Sequence, residues 1–244
     1  MRFLRLVATT LCITTASGTL CANIFKVPSS ANHNAIMLHN DGTVELRKGN
    51  LEQALHFFDA AIQTDPSLWL AYYNRAKIFE RQHKWELVIR DTTVVLREPQ
   101  WLTDAGALRG IANQELGRYR AALADFDKVI SFHREDTATA RALNGRAWLR
   151  ATCPDAAFRN GPLALEDAKR AATILKTASV IDTLAAAFAE VGDFDSAIGC
   201  ERLALPEIKP STIDGPRLRL SLQKHLSSFT QHRPWRSTPN NPFP

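Results

Sequence analysis

The sequence is poor in cysteine and lacks the short motifs that mark common catalytic centres. It has four cysteines in 244 residues, and none are spaced as C-x-x-C, which argues against zinc ribbons and thioredoxin-type redox sites. Its seven histidines form no H-E-x-x-H pair, and no G-x-S-x-G, G-x-G-x-x-G or G-x-x-x-x-G-K segment occurs. We therefore expect a protein that is not an enzyme and carries no cofactor or metal.

Positive charge is concentrated at the two ends of the chain. The formal net charge is +5, but residues 1–22 carry two arginines and no acid, and residues 206–244 carry six basic residues against two acidic ones. The body between them is close to neutral. Because nucleic-acid binders usually present a dense basic face, no nucleic-acid partner is expected.

Residues 1–22 resemble a secretory signal peptide. A positive start is followed by a mildly apolar stretch and small residues, and cleavage after Ala22 fits slightly better than cleavage after Gly18. Cys21 leaves lipidation as an alternative. Later apolar stretches fall short of the roughly 20 residues that span a bilayer. We expect an exported protein, periplasmic or secreted, with no stable membrane span after cleavage and a linker at residues 23–34.

A repeat of 34 residues organises residues 35–209. Ala54, Val88 and Ala122 are spaced by that interval, a fifth copy follows Gly192, and the fourth copy is lengthened by a loop at residues 152–161. Apolar residues within each copy recur at helical spacing, with a turn between two segments. A period of this length is typical of a solenoid built from stacked helix pairs.

These residues resemble the tetratricopeptide repeat (TPR) family, which has small, aromatic and turn residues at the same spacings. The resemblance implies an all-α, right-handed superhelix of about five antiparallel helix pairs. Three positions depart from the family pattern: Asp41 replaces the usual Leu, His83 the turn Gly and Glu201 a second-helix aromatic residue. Residues 210–230 are expected to form a capping helix, and residues 231–244 a mobile, Pro-rich basic tail.

Arginine and aspartate appear together in copies two, three and four and are both missing from the matching slots of copies one and five. The planar arginine side chain suits a carboxylate held between helices. The pattern therefore predicts structural ion pairs, with an anion site as the weaker alternative. The predicted pairs are Arg75 with Asp91, Arg109 with Asp125, and Arg146 with Asp167.

In the TPR family, the first helices of the pairs line a concave groove that receives a segment of another protein. The resemblance therefore implies partner-binding positions on those helices, with Tyr73, Asn74 and Lys77 as the main anchors. An ordinary solvated helix face is the competing interpretation at each position. The full predicted set is Tyr73, Asn74, Lys77, Arg81, Gln114, Arg141 and Asn144.

Together these features predict an exported, non-catalytic scaffold that binds a protein or peptide partner. Two alternatives stay open: a self-associating structural protein, and a binder of polyanions or cell wall through the basic tail. The sequence leaves the oligomeric state undetermined. It also leaves open whether Cys153 and Cys200 are free thiols or form a disulfide.

Overall fold

A computed structural model describes residues 32–99, 102–208 and 215–238. The expected signal peptide lies outside the described residues, as does the linker up to residue 31. The described residues form eleven α-helices and a short 3-10 helix at Ala156–Phe158, which confirms the all-α prediction. The helices are α1 (His33–Lys48), α2 (Leu51–Thr64), α3 (Trp69–Arg81), α4 (Trp85–Val95), α5 (Leu102–Glu115), α6 (Tyr119–Ile130), α7 (Thr137–Thr152), α8 (Gly161–Ile174), α9 (Ala178–Glu190), α10 (Phe194–Glu207) and α11 (Gly215–Thr230).

Consecutive helices pair into five hairpins, α1–α2 to α9–α10, and each hairpin packs against the next. First helices also touch one another, as α5 touches α7 and α7 touches α9. Helix α11 packs against α10 and α9, within the segment expected to cap the array. Buried apolar clusters therefore follow one another along the stack, as a solenoid requires, because a single hairpin cannot bury its own apolar face.

The turns within four of the five hairpins, all but the lengthened α7–α8 connection, have a left-handed residue. Gly49, Gly117 and Gly192 have φ values of 85°, 72° and 85°, and His83 takes the same place in the second hairpin with φ 54°. A left-handed residue ends a helix by turning the chain back toward its last carbonyls. His83 thus keeps the turn geometry of the glycine that it replaces.

Aromatic rings of second helices fill space that small residues leave on first helices. The Phe126 ring of α6 lies against Gly110 of α5 and Gly145 of α7, and a Cβ atom at either glycine would be 2.5 Å from a ring carbon. Gly42 of α1 has the same relation to Phe58 of α2, with 2.7 Å. These glycines are needed for close approach rather than for backbone freedom.

The structure contains all three predicted ion pairs, each in a two-pronged geometry. The Nε and Nη2 atoms of each arginine donate to the two carboxylate oxygens of its aspartate. The distances are 2.7 and 2.8 Å for Arg75–Asp91, 3.0 and 2.6 Å for Arg109–Asp125, and 2.8 and 2.7 Å for Arg146–Asp167.

Two of the arginines also reach back to the preceding hairpin. Arg75 donates to Asp59 of α2 at 2.6 Å, and Arg146 donates to Asp127 of α6 at 2.6 Å. Asp91 is fully buried, whereas the Asp59 side chain is 51% exposed. Each of these arginines therefore joins three consecutive helices, with its buried carboxylate inside its own hairpin.

The C-terminal segment contacts the array through residues 235–237. The side chain of Trp235 packs against the apolar cluster to which α7, α8, α9, α10 and α11 all contribute. Beyond it, Arg236 Nη1 pairs with Glu190 Oε2 at 2.7 Å, and the Ser237 amide donates to the Thr152 carbonyl at 2.9 Å. Residues 235–237 thus lie against the array. The mobility of residues 231–244 stays a prediction, and residues 239–244 lie outside the described residues.

Two further expectations concern thiols and membrane spans. Cys153 and Cys200 are free thiols that belong to different core clusters. Among the helices of the described ranges, none combines the length and apolar character needed to cross a bilayer.

Replacing Gly110 by Ala should destabilise the protein by about 1–3 kcal/mol, because the new methyl group overlaps the Phe126 ring. Gly199 of α10 is the matched control, since nothing lies within 4 Å of its Cβ position. Gly199→Ala should stabilise by up to about 1 kcal/mol through helix propensity. Free energies of unfolding from urea denaturation test both, and equal effects of the two changes would refute the close-packing argument.

Asp91→Ala should lower the free energy of unfolding by about 3 kcal/mol, since it leaves a half-buried guanidinium without its main partner. Asp59→Ala removes the exposed carboxylate of the same arginine and should cost less than about 1 kcal/mol. Urea denaturation of both variants gives the comparison. If Asp59→Ala lowers the free energy of unfolding as much as Asp91→Ala does, the buried pair is not the main stabilising one.

Candidate functional site

Helices α5, α7, α9 and α11 surround a pocket of about 260 Å³. Its walls therefore come from the first helices of hairpins three to five and from the helix that follows the array. Both apolar and polar side chains contribute. The pocket is lined by Ile111, Gln114, Glu115, Arg141, Asn144, Gly145, Trp148, Leu175, Ser179, Val180, Asp182, Thr183, Leu218, Ser221 and His225.

Three of the predicted partner-binding residues line this pocket: Gln114, Arg141 and Asn144. Gln114 Oε1 and Asn144 Oδ1 are buried, and neither has a hydrogen-bond partner within the described residues. A buried acceptor without a donor carries an unrecovered desolvation cost. These two oxygens can therefore accept hydrogen bonds from a group that enters the pocket.

The predicted anchors on α3 lie outside the pocket lining, and they are not free side chains. Tyr73 is half-buried and packs against two core clusters, and burial raises its pKa to about 12. Lys77 Nζ lies 5.7 Å from the centroid of the Tyr73 ring. The Tyr73 ring therefore packs between neighbouring hairpins and does not lie on an open helix face. Its role as a partner anchor stays a prediction.

Asn74 is also engaged within the chain, since its Nδ2 atom lies 2.9 Å from His39 Nε2 of α1. Burial lowers the pKa of His39, which favours the neutral ring as acceptor for the amide. Arg81, by contrast, is exposed at the end of α3. The seven predicted residues thus divide into a pocket set on α5 and α7 and a separate set on α3.

An ion pair connects these two sets. Arg141 Nη2 of α7 lies 2.6 Å from Glu80 Oε1 of α3, so the pair joins the second hairpin to the fourth. Burial, with the nearby positive charges of Arg81 and Arg141, lowers the pKa of Lys77. Burial and the charge of Asp136 raise the pKa of Asp104 in the same region. In this region the inner surface therefore carries both acidic and basic side chains.

Glu115 gives the pocket a group that changes charge near neutral pH. Burial raises the pKa of this carboxyl to about 7, although a hydrogen bond from Gln114 and the charge of Arg217 oppose the rise. Arg217 belongs to α11, and its Nη1 atom lies 2.8 Å from His83 Nε2. The C-terminal helix therefore contributes to the electrostatics of the pocket wall.

The sequence interpretation missed a buried polar cluster beside the pocket. His225 Nδ1 of α11 lies 2.7 Å from Asp182 Oδ1 of α9 and 3.9 Å from Glu201 Oε1 of α10. Burial and the nearby charge of Asp182 raise the pKa of Glu201 far above its usual range. The one signal in the sequence was Glu201 in a slot where copies one and three have phenylalanine. Nothing in the repeat pattern placed His225 against it.

Comparisons with known proteins identify the architecture. No family model matches the chain. A segment of 85 residues is 36% identical to DnaJ homolog subfamily C member 3 of Rattus norvegicus, covering 35% of this chain and 17% of the relative. The chain therefore spans less than a fifth of the length of the curated relatives it matches.

Solved structures of TPR proteins match over most of the chain. A tetratricopeptide repeat protein from Parabacteroides merdae superposes with a TM-score of 0.61 and 21% identity, covering 82% of this chain and 73% of that one. A thermophilic TPR protein of Thermus thermophilus gives a TM-score of 0.57 and 16% identity, covering 81% of this chain and 99% of that one. The chain has the tetratricopeptide repeat fold. The predicted TPR resemblance is thus confirmed, and the pocket lies on the first helices of this TPR array.

Glu115→Gln should change how the stability of the TPR array depends on pH. Between pH 4.5 and about 7 the unfolded chain releases a proton that folded Glu115 retains, so the free energy of unfolding of the wild type falls as pH rises through that window. Glu115→Gln has no ionisable carboxyl at this position, so its free energy of unfolding does not show this fall. Its free energy of unfolding should exceed that of the wild type by on the order of 1–2 kcal/mol at pH 8 and differ much less at pH 5.

Urea denaturation at the two pH values measures this difference. Glu52→Gln on α2 removes an exposed carboxyl outside the pocket and controls for the loss of one negative charge. If Glu115→Gln follows the wild type at both pH values, the assignment of a raised pKa to Glu115 is wrong.

Proposed function

We propose that this chain is a non-catalytic scaffold that binds an extended segment of a protein partner in the pocket formed by α5, α7, α9 and α11. The observation that carries the proposal is the pair of buried amide oxygens, Gln114 Oε1 and Asn144 Oδ1, which have no donor in the described residues. A peptide backbone presents N–H donors at regular spacing, and side-chain amides are suited to hold it.

The rest of the lining fits a peptide ligand better than a small charged metabolite. Ile111, Val180 and Leu218 provide apolar surface, and Trp148 adds an aromatic wall. Aromatic side chains of this kind dominate binding energy at protein interfaces. The occupant we propose is therefore an extended segment with an apolar side chain at its centre.

The TPR fold that this chain shares with solved structures supports the general role of protein binding.

Export is a separate proposal that depends on the signal-like residues 1–22. Fractionation of cells expressing the full chain, with N-terminal sequencing of the product, tests it. A cytoplasmic chain that retains Met1 would overturn this part alone.

Self-association is a second candidate because two large apolar side chains lie exposed on the last helices. Leu203 of α10 is 67% exposed and Leu220 of α11 is 54% exposed. Light scattering over a range of concentrations distinguishes a monomer from an oligomer built on this surface.

Polyanion binding through the tail has weaker support, since Arg236 is already paired with Glu190.

Peptides selected from a random display library against the full chain provide the test of the pocket. The double variant Gln114→Ala, Asn144→Ala should bind them about 30-fold more weakly, because each of the two lost hydrogen bonds contributes on the order of 1 kcal/mol. Gln63→Ala, an exposed amide on α2, is the matched control. Fluorescence anisotropy measures the affinities and circular dichroism checks the helices. Unchanged binding by a folded double variant would remove the pocket from the proposal.

A further inference from the structure

A fully buried acid occupies a core position in the fifth hairpin. Glu201 lies four residues after Ala197, in the same place that Phe58 and Phe126 occupy relative to Ala54 and Ala122. Those phenylalanines are completely buried, and so is Glu201. Replacing a core aromatic by a carboxyl is costly unless the group is neutralised or binds a partner.

Glu201 lies beside one histidine, His225, and a second carboxyl group, that of Asp182. Asp182 is 6% exposed and His225 2%. The nearest ligand-type atoms of the three residues, one from each, lie within 4.8 Å of one another. Three helices, α9, α10 and α11, each contribute one of them. No spacing motif could predict this set, because its members are 19 and 24 residues apart along the chain.

Hydrogen bonds within the chain leave the cluster incompletely satisfied. Neither carboxyl oxygen of Glu201 has a hydrogen-bond donor among the described residues. A proton shared with Asp182 can engage one of these oxygens and leaves the other without a partner. A divalent cation would instead be balanced by the two carboxylates and a neutral imidazole, which removes the need for a buried proton.

The separations are close to those of a metal site. Zinc binds histidine nitrogen and carboxylate oxygen at about 2.0–2.2 Å, so neighbouring ligands of a tetrahedral ion are roughly 3.4 Å apart. The His225 Nδ1 distances of 2.7 Å to Asp182 and 3.9 Å to Glu201 lie on either side of that value. A mixed set of one nitrogen and two oxygens suits a first-row transition ion better than Mg²⁺ or Ca²⁺, which prefer oxygen alone.

The surroundings also match what metal-binding histidines require. His225 Nε2 lies 3.3 Å from Ser221 Oγ, and such a bond to the second ring nitrogen fixes the ring when the first binds an ion. Trp235 and Trp148 surround the imidazole, with ring centroids 4.5 and 5.5 Å away. Asp182, Ser221 and His225 all line the pocket, so an ion and a water ligand can reach the cluster from there.

We propose that Asp182, Glu201 and His225 form a binding site for a divalent first-row transition metal ion, with Zn²⁺ matching the ligand set best. The ion would fasten α9 and α10 to the C-terminal helix and leave at least one coordination position for water or a ligand from the pocket. This inference does not depend on peptide binding by the scaffold.

Titration calorimetry of the full chain, stripped of metal by a chelator, tests the site directly. We expect one Zn²⁺ per chain at micromolar or lower concentrations, a rise in melting temperature on adding Zn²⁺, and no comparable effect of Mg²⁺. Glu201→Gln keeps the shape of the side chain and should weaken Zn²⁺ binding by about 100-fold or more. His56→Gln, an exposed histidine on α2, should bind as the wild type does.

Ser221→Ala removes no ligand and should weaken binding by about 10–100-fold through the loss of support for His225. It serves as the deciding variant if Glu201→Gln fails to fold by circular dichroism. The proposal is overturned if the wild type shows no saturable one-to-one Zn²⁺ binding. It is also overturned if folded Glu201→Gln, or Ser221→Ala in its place, binds Zn²⁺ as tightly as the wild type.

Discussion

In the first and third hairpins, the packing depends on close contact between a phenylalanine ring of the second helix and glycines of first helices. Phe126 is the central case, because its ring touches glycines on α5 and on α7 at distances that exclude any side chain. Both the dispersion attraction and the burial of apolar surface depend on this close contact, because a protein interior loses stability when a void or a steric overlap replaces close packing. The positions of the inner-surface residues follow from it, because they sit on first helices whose spacing these contacts determine.

The buried ion pairs constrain the orientation of the packed helices. Burying an arginine and an aspartate brings little net stability compared with apolar residues, but a two-pronged pair has only one good geometry. Arg75 and Arg146 each connect a carboxylate of their own hairpin with one of the preceding hairpin. The pairs therefore constrain the angle between successive hairpins, which apolar contacts alone define less sharply.

Repetition explains which features could be predicted from the sequence. The array and the three ion pairs recur at matching slots, so each copy supports the interpretation of the others, and His83 was recognisable as a turn residue for the same reason. The pocket was only partly predictable, because Gln114, Arg141 and Asn144 share it with residues of α11, which has no counterpart in the repeats. The packing of Tyr73 was not predicted, because a face that is exposed on an isolated helix is covered by the neighbouring hairpins. The repeats could not predict which residues Trp235 packs against, because those residues lie far away in the chain.

The double contact of Phe126 has a consequence for how the molecule loses its structure. In an ideal solenoid, the free energy needed to unfold one unit depends only on the stability of that unit and of its interfaces with its neighbours. Partly unfolded forms are therefore populated. Here one ring completes the interior of the third hairpin and also the junction with the fourth. Opening either hairpin removes a wall from the other, which couples their melting and makes the middle of the array a single cooperative block.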